Sequence, residues 1–152
     1  MTTDPRLAAA LDELVRNLHY LARYAERVRT VAVARPESLT DPNLAEVEAL
    51  DAFILRFLKT VDAATRRLFP AILQGLGEYD EGMPLIDALN RLEKLGWIGS
   101  ALEWRTARER RNQLTHDYPD APEIRRTILR SALDLEERIQ EDGKRIIKRL
   151  GR

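Results

Sequence analysis

The chain has no cysteine and, in 152 residues, only two histidines, His19 and His116. The missing thiols exclude a disulfide framework and a cysteine nucleophile, and two histidines cannot form the Cys/His clusters that bind structural zinc. Net charge is missing too: 25 basic residues meet 25 acidic ones, and each half of the chain is balanced. Proteins that hold long duplexes by neutralising phosphates carry a basic excess, so stable DNA binding is not expected. An enzyme that briefly engages one RNA phosphate needs no such excess. Apolar runs fall short of the ~20 residues that span a bilayer. The start, Met1-Thr2-Thr3-Asp4-Pro5, has neither the basic nor the apolar region of a secretion signal. With the lack of thiols, this points to a soluble cytoplasmic protein with no bound metal or cofactor. Sustained two-residue alternation is also absent, which leaves β-strands without a signal.

What is present is helical periodicity. A domain of this length buries roughly 68 to 70% of its unfolded surface, so a single domain over residues 1–152 has enough core to fold unaided. Asp4 before Pro5 reads as N-cap and first helical residue. Leu7, Leu11, Leu14, Leu18, Leu21, Ala25, Val28 and Ala32 then step by four and three along one face, ending near Arg35-Pro36. Asp41-Pro42 predicts the start of a second helix, whose stripe Val47, Leu50, Ile54, Phe57, Val61, Ala64, Leu68 and Ile72 closes at Gly75 and Gly77. After an acidic, glycine-bearing loop, Pro84 begins a short third helix ending at Leu95-Gly96. Ser100 and Glu103 predict a capping box for a fourth helix that stops at Pro119, since proline disfavours helical geometry at Tyr118. Asp120 and Glu123 predict another box, opening a last helix with Ile124, Ile128, Ser131, Leu135, Ile139, Ile146 and Leu150 on one face. The expected fold is all-α, an up-and-down bundle of four long helices and one short one.

Near the end of the fourth helix stands Arg111-Asn112-Gln113-Leu114-Thr115-His116-Asp117-Tyr118. Seven residues rotate a helix by about 20° less than two turns, so Arg111 lies above Trp104 on a stripe with Ala107 and Leu114. A guanidinium on an apolar stripe needs a partner or a cleft: it snorkels past Trp104, pairs with an acid on a neighbouring helix, or lines a site. Arg105, Arg108 and Arg110 fall on a mixed, solvated face with Glu103 and Glu109. A regular helix turns His116 about 140° away from Arg111, so either the helix ends first or the two groups meet across two molecules. Asn112, four residues earlier, is placed to hydrogen-bond the His116 ring, although a histidine at a helix end is also simply favourable with the dipole. Asp62 and Thr65 interrupt an otherwise apolar line of the second helix through Leu55, Leu58 and Phe69. The carboxylate seeks a cation there, as a structural salt bridge or as a site partner, and Arg111 is a candidate. Tyr118 is either a reachable phenol or a half-buried packing residue. His19 has only a bland, structural reading.

Arginine, four residues, histidine, one residue and tyrosine resembles the signature of the HEPN superfamily, in particular HepT-like proteins and the related nucleotidyltransferase substrate-binding proteins. Arg56-Phe57, Lys59-Thr60 and Asp62 are similar to that family's helix-two pattern, and Trp104 ahead of Arg111-Asn112 to its helix-four pattern. The resemblance runs from Leu50 to Tyr118. It implies a HEPN-like bundle, a homodimer, and a metal-independent endoribonuclease toxin that leaves a 2′,3′-cyclic phosphate on its RNA substrate. His116 would move the proton of the attacking 2′-hydroxyl, Arg111 would hold the phosphate and its developing charge, Asn112 would orient one or the other, and Asp62 would support Arg111. Pairing two motifs across the dimer would answer the rotation problem. The resemblance also implies a cognate minimal nucleotidyltransferase antitoxin, which silences the toxin by transferring AMP to Tyr118.

The alternative is a non-catalytic substrate-binding or antidote subunit of a two-part nucleotidyltransferase, with Arg111 and His116 as binding groups. A helical dimerisation module with no site is the blandest reading. Nothing resembles a sequence-reading RNA module, so the RNA target is not legible.

Overall fold

A computed structural model describes residues 4–151, and all its regular elements are helical. Helix α1, Pro5–Ala34, is capped by Asp4, whose carboxylate accepts the Arg6 N–H at 2.9 Å. Every residue of the expected stripe from Leu7 to Ala32 is buried. Pro36 then redirects the chain through a 3-10 turn, Pro36–Leu39. Helix α2, Leu44–Asp62, starts later than Asp41-Pro42 suggests, because Asn43 makes the better cap. Its side chain accepts the Glu46 N–H at 2.9 Å, and Glu46 Oε1 accepts the Asn43 N–H at 2.8 Å, so two orphan donors are satisfied together. Arg35 clamps the same carboxylate at 2.6 Å and ties the end of α1 to the start of α2.

Helix α2 runs directly into a π-helical turn, Ala63–Leu68, and on into α3, Phe69–Gly75. Pro70 gives the reason. It has no N–H to offer the Arg66 carbonyl, and its ring crowds that carbonyl, so an ordinary α-turn is disfavoured. The helix widens instead: the Phe69 N–H reaches back five residues to Ala64 O. The wide turn buries Ala63, Ala64 and Thr65 side by side, with Leu68 and Phe69 following. The expected stripe otherwise holds, except that Val47 and Ile54 are half-buried. Gly77, at φ 70°, closes the rod, and the Glu78 N–H bonds Leu73 O at 2.8 Å.

Helix α4, Leu85–Lys94, ends at Gly96 in the same left-handed manner. Helix α5 covers Ala101–Gln113 and α6 covers Pro122–Arg149. Ser100 caps α5 by accepting the Glu103 N–H at 3.2 Å, but only half of the expected box forms. The Glu103 side chain turns to Arg138 of α6 instead, at 2.9 Å. At the start of α6 the Asp120–Glu123 box does not form: the helix begins one residue later, with Ala121 as the cap and Pro122, whose fixed φ suits it, at the first helical position. Ile124 is consequently exposed, and the buried face begins at Ile128.

Side-chain pairs define the topology. Arg35–Glu46 and Glu13–Arg67 join opposite ends of α1 and the α2–α3 rod. Arg29–Glu136 and Gln140 to Leu18 O join α1 to α6. Asp62–Arg111 and the Phe69–Trp104 ring contact join the rod to α5, and Trp104–Asp142 and Arg110–Ser131 join α5 to α6. In each case rising numbers on one helix meet falling numbers on the other, so all four contacts are antiparallel. The result is an up-and-down bundle with α4 against α3 and α5, around one continuous apolar core. Where α6 crosses α1, Gly143 allows close approach: a Cβ there would lie 2.5 Å from Leu18 Cδ1.

Candidate functional site

The best-ordered polar constellation centres on Asp62, the last residue of α2. Arg111 grips it side-on, Nε to Oδ1 at 2.9 Å and Nη2 to Oδ2 at 2.8 Å. Arg108 Nη1 adds a bond to Oδ1 at 3.2 Å and another to Thr65 Oγ1 at 3.3 Å. Arg66 approaches the same oxygen at 3.8 Å. Three guanidiniums therefore share one carboxylate. Side-chain exposures of 22% for Arg111, 25% for Arg108 and 27% for Asp62 make the cluster neither buried nor freely solvated.

The side-on pair uses Nε and Nη2 of Arg111 and leaves Nη1 without a partner among the described residues. An anion approaching the cluster meets that open edge and the unused Nε and Nη2 of Arg108. The Asp62 hydrogen bond, more than its charge, holds the Arg111 guanidinium above its ordinary pKa against the effect of burial. Arg108 is pushed the other way, first by burial and then by the positive charge of Arg66, only partly offset by Asp62.

Placement of these groups follows from the local fold. Trp104 anchors α5 by donating Nε1–H to Asp142 Oδ2 at 2.7 Å and by meeting Phe69 edge-on at 4.9 Å. Two turns later the same stripe carries Arg111 over Asp62, so the expected choice between snorkelling and pairing resolves as pairing. Arg108 corrects the sequence reading. It lies three residues before Arg111, on the same side of the helix, and reaches the carboxylate rather than sitting on a solvated face. Arg110 is likewise engaged, through Nε to Ser131 Oγ at 2.8 Å and Nη1 to Gln113 Oε1 at 2.8 Å.

Helix α5 does not reach Pro119. It ends at Gln113, and the chain turns through Leu114 to His116, with the His116 N–H on Gln113 O at 3.1 Å. His116 is therefore released from the azimuth a regular helix would impose. Its ring is exposed and meets the Tyr118 ring edge-on, with centroids 6.1 Å apart. Asn112 does not orient it: no hydrogen bond links their side chains, because the turn carries the imidazole away, and Asn112 O accepts from Thr115 instead. Tyr118 is half-buried and left-handed at φ 50°, an uncommon conformation for a bulky residue that stores about 1–3 kcal/mol. It lines a groove of about 400 Å³ with Gln113, Ile124 and Ile128. Arg111 and Asp62 are thus brought together, as are His116 and Tyr118, while no bond joins the two pairs within one chain.

Among the described residues no cluster of histidine and carboxylate side chains could hold a metal ion, and no helix is long and apolar enough to cross a membrane. No protein-family model, curated protein or solved structure matches the chain.

Proposed function

We propose that the chain is a metal-independent endoribonuclease of the HEPN type, acting as a homodimer and serving as the toxin beside a nucleotidyltransferase antitoxin. The observation that carries this reading is the state of Arg111, fixed side-on by Asp62 with Nη1 open, on the same short segment as an exposed His116 whose side chain makes no hydrogen bond among the described residues. Fixed guanidinium and free imidazole are what intramolecular RNA cleavage needs. His116 takes the proton of a ribose 2′-hydroxyl, whose oxygen attacks the adjacent phosphorus. The bond from phosphorus to the 5′-oxygen breaks, and that oxygen takes a proton from the imidazolium of a second protomer. The products are a 2′,3′-cyclic phosphate and a free 5′-hydroxyl. Arg111, with Arg108 beside it, holds the extra negative charge of the pentavalent species. Tyr118, half-buried against the core beside the exposed turn, is the proposed AMP acceptor, which requires its phenol to stay within reach of the second enzyme.

Incubation of the purified chain with RNA tests the proposal. Cyclic-phosphate ends should accumulate, and His116→Ala should abolish them without a change in melting temperature, because the ring is exposed. The side-on Asp62–Arg111 pair also suits a binding subunit that presents a rigid cationic face. Inert wild-type protein that still co-purifies with a nucleotidyltransferase would decide for that second reading.

A further inference from the structure

Asp62 has a second neighbourhood. Its other side lines a groove of about 550 Å³ between α1 and α2, shared with Arg16, Asn17, Arg56 and Lys59. The charges there are unequal. Glu13, also in the wall, is taken by Arg67, and Asp62 by the arginines of α5 and the π turn. Arg16 and Lys59 have no ion-pair partner among the described residues, and Arg56 has only a neutral one. A chain of zero net charge therefore keeps three uncompensated cations in one groove.

Arg56 is held in place. Its Nη1 bonds Asn17 Oδ1 at 3.2 Å, and its guanidinium lies 4.5 Å from the centroid of the Tyr20 ring. Asn17 is 5% exposed and is itself fixed by donating Nδ2–H to Glu13 O at 3.0 Å. The Asn17 amide, satisfied through its nitrogen by Glu13 and through its oxygen by Arg56, fixes the guanidinium at the groove. Tyr20 is partly exposed and meets His19 edge-on at 5.4 Å; neither ring lines the groove, and the Arg56 guanidinium covers one face of Tyr20. Along α2, Asp62, Lys59 and Arg56 recur every three residues on one side and span about 9 Å.

We propose that this groove is a track for single-stranded RNA, in which Lys59, Arg56 and Arg16 take the phosphates that follow the scissile one. A groove of unpaired cations is the feature by which proteins follow the backbone of unpaired strands without reading sequence. A concave groove suits a strand better than a flat bilayer surface. Because Asp62 is a wall of the groove and also the clamp on Arg111, the track leads directly to the cationic cluster. The inference rests on the ribonuclease reading for its strand, and the test separates the two.

The probe is a fluorescent 2′-O-methyl oligouridylate about twelve residues long, which lacks the attacking hydroxyl and cannot be cut. Each single-strand phosphate contact contributes about 0.7 to the slope of log affinity against log salt. The triple variant Arg16→Gln, Arg56→Gln, Lys59→Gln should lower that slope by about 2 and weaken binding at least tenfold at about 50 mM salt. Lys59→Gln alone, exposed and unpaired, should lower it by about 0.7. Cleavage of a dinucleotide, too short to enter the groove, should be unchanged. Equal binding and equal slopes for wild type and triple variant overturn the proposal. So does variant-sensitive binding to phosphatidylserine vesicles without binding to the oligomer. Oligomer binding that survives in His116→Ala, beside wild-type protein that cuts no RNA, upholds the groove and removes the ribonuclease reading.

Discussion

Removing the Asp62 carboxylate should destabilise the protein more than removing Arg111. In Asp62→Ala, Arg108 and Arg111 both lose their anion while remaining about three-quarters buried, beside Arg66 and each other. In Arg111→Ala, Asp62 keeps Arg108 at 3.2 Å and Arg66 at 3.8 Å. Exposed ion pairs contribute about 0.2–1 kcal/mol, and breaking a buried one costs about 3–5 kcal/mol. A cluster with exposures near one quarter falls between, so about 2–3 kcal/mol for Asp62→Ala and about 1–2 for Arg111→Ala follow. At about 2–4 °C per kcal/mol for a chain of this size, the first variant should melt roughly 4–12 °C lower. Urea unfolding of both single variants and the double variant completes a cycle, with an expected coupling of about 1–2 kcal/mol. A coupling below about 0.5 kcal/mol, or an Arg111→Ala loss exceeding that of Asp62→Ala, would show that the side-on pair is no better than an ordinary surface contact. Cleavage should also fall at least tenfold in Asp62→Ala, which corresponds to about 1.4 kcal/mol of transition-state stabilisation lost with the orientation of Arg111.

Three further outcomes are expected. Tyr118→Phe should prevent the mass gain of one or more AMP units on coexpression with the partner nucleotidyltransferase; an equal gain in the variant would place the modification elsewhere. Gly143→Ala should lower stability by about 1 kcal/mol net, since forcing Leu18 aside in a packed core costs about 1–3 kcal/mol against about 1 gained in helix propensity; an unchanged or higher melting temperature refutes the tight crossing of α1 and α6. Glu46 is held below the ordinary glutamate pKa, first by its hydrogen bond from Arg35 and then by the Asn43 backbone. Its contribution to stability is therefore complete above the ordinary value, about 4.3, and is lost as pH falls through the lower native one. Glu46→Gln should be less stable at neutral pH and flatten this part of the acid limb, which acid titration of the two proteins will compare.

Much of the bundle is legible before any coordinates, for a physical reason. The four-and-three spacing from Leu7 to Ala32 and the Asp4-Pro5 start act within one helix, so local rules suffice. Caps are harder, because neighbouring candidates compete: Asn43 with Glu46 outdoes Asp41-Pro42, and Pro122 takes the first helical position, so that Ala121 rather than Asp120 is the cap. Signals for two surprises are present in the sequence all the same. Pro70 marks the wide turn, and the three-residue step from Arg108 to Arg111 puts both on the side facing Asp62. The likeness of Arg111, His116 and Tyr118 to a signature picks out the groups that the proposal uses, while their separation within one chain depends on where α5 stops, a balance of turn and helix that no motif encodes.

The wide turn ahead of Pro70 couples the two halves of the rod through their phase. One extra residue per turn offsets everything after it by about 100° relative to an unbroken α-helix. Phe69 still meets Trp104 while Asp62, upstream, meets Arg111, although an unbroken helix would have held these two residues, seven apart, within about 20° of one line. A single deletion between 63 and 67 would leave the flanking segments in phase, because an α-turn with one residue fewer spans the same arc, but it would set the Pro70 ring against a carbonyl four residues back. The rod thus carries one residue more than its arc requires, and the proline decides where that residue is stored.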